Sequence, residues 1–587
     1  MRPFERRAML DALRTAGEHD GEPFDVLVIG GGITGVGVAL DAAARGLRTA
    51  LVERDDFASG TSSKSSKMVH GGLRYLQNGD VRLVYEALRE RRRLMRNAPH
   101  LVEVLPFMIP ILTKDGVVSK KIAKALGSAM WMYDLTGGWR IGKLHKRVSG
   151  EQAARHFPTT HLDKLSAGYL YYDAGADDAR LTLTVARTAA QHGAVIVNRC
   201  GVVGITADAH GHADGATVDA DGELIHVAAR CIVNAAGVWA DQVRALDEGT
   251  DPDSIRPAKG VHITIPWEKV RNDIAVIIPV RSDKRSLFLV PWGEQPDGTF
   301  RHVYVGTTDT DSGEPLDDPQ CTRDDIGYVL TALNEALTET VTRDDITGVW
   351  AGMRPLVKSA SADGHTAKTA DLSRRHQVAV SDSGVVRVNG GKLTTYREMA
   401  EDTVDVVVRQ LDAPRRTRRS TTRRLRLFGA TRRTHDSRSH GDRGTTAVHL
   451  ARRFGTQADE IRALVAFDPM LGEPLVAGQP YLRAEAVYAA RHEMATTLDD
   501  VLVRRTRAHL FDRSATLAAA ADVAHLLASE LGWNAAETER QLTMYRSLCH
   551  AEQAAARASA APDRVAPVAV APDTAGADDD QLANATD

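Results

Sequence analysis

Asp25-Val-Leu-Val-Ile-Gly-Gly-Gly-Ile-Thr-Gly-Val-Gly-Val-Ala-Leu40, closed by Leu51-Val-Glu53, decides the fold of this chain. The apolar run Val26–Ile29 predicts a buried parallel strand, and Gly30, Gly32 and Gly35 stand at GxGxxG spacing before an Ala-rich helix. Gly30 permits the tight turn, Gly32 lets the backbone approach a pyrophosphate, and Gly35 lets the helix close on the strand. The pyrophosphate then meets the positive helix N-terminus. Glu53 lies about 20 residues past the glycines, where its carboxylate can accept hydrogen bonds from adenosine ribose hydroxyls. The stretch is a dinucleotide-binding βαβ unit that, taken alone, suits NAD or FAD.

Composition narrows the rest. The 587 residues suffice for two or three domains, and a formal net charge of −3 offers no basic excess pointing to nucleic acid. Cys200, Cys231, Cys321 and Cys549 form no CxxC or metal-ligand pattern, so reduced thiols of a cytoplasmic protein, and no metal site, are expected. The first residues are charged and lack the apolar core of a signal peptide. The longest apolar stretch, 104–112, is too short to span a bilayer and contains Pro106 and Pro110, so any membrane contact is expected to be peripheral.

After Glu53 comes Ser59-Gly-Thr-Ser-Ser-Lys-Ser-Ser-Lys67, then His70-Gly-Gly-Leu-Arg74-Tyr75. Such Ser/Thr clusters are commonly flexible loops, but directly after a nucleotide-binding strand their hydroxyls and N–H groups suit phosphates and a ribityl chain. Further motifs follow in order: Val233-Asn-Ala-Ala-Gly237-Val-Trp239-Ala-Asp241, Lys259-Gly-Val-His262, Val305-Gly-Thr-Thr308-Asp309, Gly352-Met-Arg354-Pro355 and Gly390-Gly-Lys392-Leu-Thr-Thr-Tyr396. Over residues 24–409 these motifs together resemble the aerobic, respiratory FAD-dependent glycerol-3-phosphate dehydrogenases. Val238 stands where that family often has proline and Ala236 where threonine is common, departures that bear on backbone geometry more than on chemistry.

The resemblance implies an α/β fold in which an FAD-binding Rossmann-like domain is interleaved with an antiparallel β-sheet substrate domain, D-amino-acid-oxidase-like, followed by a C-terminal all-α domain. The expected layout is a polar leader at 1–22 with a short helix over 5–15, and an oxidoreductase region at 23–410. Its FAD-binding segments are 23–100, 165–258 and 350–410, and its substrate or cap segments 101–164 and 259–349. A basic, solvated linker at 411–445, a helical domain at 446–550 and a disordered tail at 551–587 complete the chain. Residues 80–101 are helical by period, with Leu83, Val84, Ala87, Leu88 and Leu94 on the apolar face and the charges of 89–93 on a solvated one. The helix over 120–135 fits core or dimer packing, or docking on anionic lipid through Lys120, Lys121 and Lys124. Arg504, Arg505 and Thr506 match an Arg-Arg-Thr signature of the family's helical domain and receive no catalytic role.

By resemblance the cofactor is FAD and the reaction is oxidation of sn-glycerol 3-phosphate to dihydroxyacetone phosphate by hydride transfer to flavin N5. A membrane quinone is the expected acceptor, the protein lying peripherally on the inner face of the cell membrane, with a homodimer possible. Such chemistry needs a base for the hydroxyl proton and positive charge near the developing oxyanion. Motif matching makes Arg74, Tyr75 and Lys392 candidates for the phosphate, Arg354 for the reacting oxygen, His70 and Lys259 for the proton, and Thr308 for the pocket wall. Cofactor contacts are expected from Gly30, Gly32, Gly35, Glu53, Thr61, Ser62, Ser63, Ser66, Val203 or its neighbour Val202, Ala236 and Gly237. Gly391, Lys392, Leu393 and Thr394 form a turn whose following helix aims its positive end at the pyrimidine side of the isoalloxazine. Other readings stay open: an oxidase of the same substrate that uses oxygen, an amino-acid oxidase of the same fold, and a flavin-binding sensor without turnover.

Overall fold

The computed structural model describes residues 4–17, 22–73, 80–112, 120–250, 252–280, 285–311, 313–358, 375–412, 417, 419–431 and 445–558, with the backbone alone at 16–17, 120–126, 129 and 311. Val26–Ile29 is fully buried, as a parallel strand covered on both faces must be. It pairs in parallel with Thr49–Val52 and Ile232–Asn234. Val195–Val197 and Val386–Asn389 extend the sheet in parallel, and Gln377–Val380 adds an antiparallel edge, giving six strands. The helix Ile33–Ala44 packs against Asp178–Gln191 and Tyr396–Gln410. Gly37 permits the second contact, since a Cβ there would stand 2.7 Å from the Tyr396 ring.

The N-terminal segment is more than a leader. Arg6–Gly17 is an amphipathic helix that buries Met9 and Leu13 completely and packs on Val195–Val197 and Glu223–Ala228. The second of these strands closes a three-stranded antiparallel sheet with Ala213–Ala220 and Gly201–Ala207.

A ten-stranded sheet forms the other side of the molecule. Its pairings are antiparallel except for that of Ala275–Pro279 with Glu103–Leu112. Leu165–Gly175 and Gly348–Val357 belong here, although the sequence groups both with nucleotide-binding segments: the first pairs with Glu103–Leu112, the second with Ile255–Pro266. Local pattern specifies a strand but not the sheet that strand joins.

Two expectations about charge are corrected. Val81–Asn97 is capped by Asp80 and buries the predicted apolar face, but Glu90 and Arg91 are buried too. Glu90 accepts from Arg397 Nε at 2.6 Å, and Arg91 donates to Asp173 and to the Tyr133 hydroxyl. The basic linker is docked over its described part. Ser420 and Thr422 donate to the buried Asp41, and Leu427 packs into the nucleotide-domain core.

The C-terminal region is helical as expected, with Thr446–Phe454, Ala458–Phe467, Arg483–His492, Arg513–Leu531 and Ala535–Ala555. The helix predicted over 497–508 is instead a π-helical turn, Asp500–Arg505, followed by the short helix Ala508–Phe511. The last helix runs beyond residue 550, where the tail was expected to begin, and the Ala558 carbonyl accepts from Arg323 N at 2.9 Å. Residues 559–587 lie outside the described residues.

Leu13→Ala is expected to destabilise the protein by about 2–5 kcal/mol, the usual cost of a fully buried leucine. It should appear as a lowered urea midpoint. A wild-type midpoint would show that the first helix does not support the core.

Candidate active site

The strand Val26–Ile29 delivers the chain to Gly30, whose φ of +111° is open to glycine and strained for other residues. A Cβ on Gly35 would lie 1.9 Å from the Gly30 carbonyl oxygen, so glycine at this position is what seats helix on strand. The first turn of that helix faces a cavity of about 800 Å³. Ser62 Oγ accepts from Ile33 N at 2.9 Å and ties the hydroxyl-rich loop to the helix start. Glu53 accepts from Gly31 N at 2.6 Å and from Asp55 N at 2.8 Å. Burial raises its carboxyl to about 7 against the opposing pull of those two N–H donors.

From this end the cavity continues past Ala236 and Gly237 to a polar far wall. Arg354 reaches it from the strand Gly348–Val357 and donates to Asp309 Oδ1 at 3.1 Å, Thr307 Oγ1 at 3.2 Å and the Thr308 carbonyl at 2.9 Å. These acceptors hold the guanidinium plane in one orientation. Thr308 accepts through Oγ1 from Val261 N at 3.0 Å. The turn 390–392 leads into Leu393–Thr395 and then the helix Tyr396–Gln410, so backbone N–H groups of a helix start lie at this wall. Thr394 Oγ1 accepts from His70 N at 3.2 Å, joining segments 324 positions apart.

His262, quoted in its motif but given no role there, is the residue the sequence reasoning missed. It is buried, lines the cavity, meets Ser66 Oγ through Nε2 at 2.8 Å and stacks on Trp350 at 4.7 Å. Burial, reinforced by Lys67 and Arg354, holds it well below the ordinary histidine range, so the ring is neutral at pH 7. Strand parity could have found it. Side chains alternate across a strand, so Gly260 and His262 face the cavity while Lys259 faces away.

The comparisons with known proteins agree with this geometry. A family model described as FAD dependent oxidoreductase matches residues 25–397, and one described as the C-terminal domain of alpha-glycerophosphate oxidase matches 420–538. The chain is 40% identical over 540 residues to glycerol-3-phosphate dehydrogenase 2 of Mycobacterium tuberculosis, covering 90% of this chain and 89% of that one. It is 36% identical over 563 residues to the mitochondrial glycerol-3-phosphate dehydrogenase of Mus musculus, covering 92% of this chain and 74% of that one. The chain belongs to the FAD-dependent glycerol-3-phosphate dehydrogenase family. A member from Bacillus halodurans, solved in complex with FAD, matches with a TM-score of 0.71 at 28% identity, covering 94% of this chain and 98% of that one.

The cofactor is FAD, and the residues present fit it. The side-chain-free surface at Gly30 and Gly32 leaves room for a pyrophosphate, with Glu53 beside it and Gly237 open above. Thr61, Ser62, Ser66, His70, Ala236, Thr308, Arg354, Gly391, Lys392, Leu393 and Thr394 all line the same cavity. Gly35 acts one layer behind it.

Three expected site residues stand elsewhere. Lys259 is buried outside the cavity, its Nζ held by Glu314 at 2.5 Å and Asp325 at 2.8 Å; this pairing raises it and removes it as a proton acceptor. Val203 is 49% exposed at a register irregularity in its strand, while Val202 lines the cavity. Ser63 is turned from the cavity, with its carbonyl accepting from Arg507. Arg74 and Tyr75 lie outside the described residues.

Glu53 yields a pH test. Ribose hydroxyls donate to an ionised carboxylate, so binding at Glu53 should release the proton that apoprotein holds below pH about 7. FAD affinity is then expected to rise by up to about tenfold per unit as pH increases towards about 7, and to level off above it. Glu53→Gln should bind more weakly with a flat profile. Fluorescence titration of apoprotein measures both, and a flat wild-type profile would place the ribose elsewhere.

Proposed function

We propose that the enzyme oxidises sn-glycerol 3-phosphate to dihydroxyacetone phosphate and passes the electrons to a membrane quinone. The convergence of Arg354, Lys392 and His70 on the cavity that fits FAD carries this reading, together with the substrate named for the relatives. When bound, FAD accepts the hydride from the carbon bearing the hydroxyl. Arg354, held in plane by Asp309 and the threonines, presents positive charge to the reacting oxygen. Lys392, with Arg74 and Tyr75, supplies the phosphate cradle. His70 takes the hydroxyl proton, and neutral His262 orients Ser66 beside it.

The peripheral membrane reading has a surface to support it. Among the described residues no helix is long and apolar enough to cross a membrane. Lys120–Thr136 buries Met130 and Tyr133 but exposes Trp131 by 58% and Leu135 by 78%, and Trp139, Leu144 and Tyr85 are exposed nearby. Arg140 lies over the rings of Tyr85 and Trp139 at 4.8 and 5.3 Å, and Arg92, Lys143, Lys146 and Arg147 are exposed around them. Aromatic rings ringed by cations suit an anionic lipid surface. On the inner side of the same helices, Tyr133 donates to Asp173 at 2.7 Å, and Asp173 lines the cavity. One observation favours a second acceptor: the C-terminal family model takes its name from an oxidase.

Anaerobic addition of sn-glycerol 3-phosphate is expected to bleach the flavin absorbance; no bleaching would count against this substrate. Oxygen consumed stoichiometrically with substrate would replace quinone by oxygen as acceptor. Lys392→Ala should raise KM at least about tenfold while retaining FAD, as loss of a charge-assisted phosphate contact implies. Equal loss of flavin would make Lys392 a cofactor ligand.

Trp131→Ser with Leu135→Ser should abolish sedimentation with phosphatidylglycerol vesicles and leave flavin reduction unchanged. Wild-type protein that ignores such vesicles would overturn the membrane reading.

A further inference from the structure

The loop 56–67 lines the cavity through Ser59, Thr61, Ser62, Lys64, Ser65 and Ser66, yet it is gripped from the C-terminal helical domain. At its start Asp56 is fully buried and accepts from Arg504 Nε at 2.7 Å and from Arg505 Nη1 and Nη2 at 2.7 and 2.8 Å. Near its end Arg507 donates to the Ser63 carbonyl at 2.8 Å and pairs with Asp178. Asp178 accepts from Ser65 N at 2.9 Å and Ser65 Oγ at 2.7 Å, and lies 3.4 Å from Lys67 Nζ. Arg507 is 1% exposed and sits at φ +68°, a conformation that a residue with a Cβ adopts only where its surroundings hold it.

From this grip the contacts run on to the cavity. Trp350 Nε1 donates to the Ser65 carbonyl at 3.2 Å, and Tyr304 donates to the Ser66 carbonyl at 3.1 Å. Lys67 Nζ lies 4.4 Å above the Trp350 ring, against which His262 stacks, and Ser66 Oγ meets His262 Nε2. The carbonyls of Ser63, Ser65 and Ser66 thus each have a fixed donor, and the one at Ser63 comes from the helical domain.

We propose that Arg507 is a positioning residue: through Asp178 and the Ser63 carbonyl it fixes residues 63–67 and so sets the Ser66–His262 pair against the cavity. The C-terminal domain then completes the active site. The kinetic half of the test rests on the proposed oxidation of sn-glycerol 3-phosphate; the structural half does not. A buried cation that pairs outside residues 63–67 is available for comparison in Arg187, which pairs with Glu493 at 3.1 Å and donates to the Tyr488 hydroxyl at 2.9 Å.

The test compares Arg507→Met, Ser65→Ala and Arg187→Met as holoenzymes, by hydrogen exchange over residues 59–67 and by anaerobic flavin reduction with sn-glycerol 3-phosphate. Arg507→Met and Ser65→Ala are expected to exchange about tenfold faster over 59–67 with Val26–Ile29 unchanged. Their limiting reduction rate should fall about tenfold while the substrate dissociation constant moves less than about threefold, the signature of lost positioning. Arg187→Met should match wild type in both. Wild-type exchange and rate in Arg507→Met, or equal losses in Arg187→Met, would overturn the proposal. Should Arg507→Met not fold, Ser65→Ala decides by its exchange over 59–67, since Ser65 itself lines the cavity, and wild-type exchange there overturns the proposal. If wild type is not reduced by sn-glycerol 3-phosphate, the substrate reading fails and the exchange measurements still decide the clamp.

Discussion

The cavity depends on how closely the helix Ile33–Ala44 sits on the strand Val26–Ile29. With no side chain at Gly35, the helix backbone reaches the Gly30 carbonyl, and its first turn faces the cavity. That approach also sets the place of Ser62, whose hydroxyl takes the Ile33 N–H, and of Glu53, whose carboxylate takes the Gly31 N–H. One steric condition therefore aligns a helix dipole, a hydroxyl-rich loop and an acidic residue on one ligand.

The elements around that centre are joined by buried charge. Asp41 pairs with Arg45, Glu90 with Arg397, Asp173 with Arg91, Glu493 with Arg180, and Asp56 with Arg505. All but the first join segments far apart in sequence. Removing one partner of such a pair leaves an uncompensated charge, typically at about 3–5 kcal/mol, so these contacts penalise alternative dockings strongly. They also explain how the helical domain bears on the cavity: its arginines hold the carboxylates of the loop and of the helix behind it.

The glycine spacing, the apolar run before it and the acidic residue after it were legible as a nucleotide site because each acts through local backbone geometry. Arg354 and Lys392 were legible through the motifs that resemble the family, the first on the strand Gly348–Val357 and the second in the turn before Leu393–Thr395. Legibility failed at parity and partnership. Lys259 and His262 share one motif, and only the pleat of Ile255–Pro266 in its sheet shows that the histidine faces the cavity and the lysine faces Glu314 and Asp325. Val203 gives way to Val202 because the strand shifts register between Val202 and Gly204. Arg91 and Glu90 read as solvated charges because no local pattern reveals that Asp173 and Arg397 wait across the fold.

The sequence by itself determined the dinucleotide-binding unit, which follows from short-range spacing, and its motifs, by resemblance, pointed to the FAD-dependent family and to several of the cavity's polar residues. Only the tertiary structure decided which sheet each long strand joins, which side of a strand meets the cofactor, and that the C-terminal arginines close on the loop at 56–67. Those outcomes rest on pairings between segments far apart in sequence, where the partner, not the local pattern, supplies the free energy.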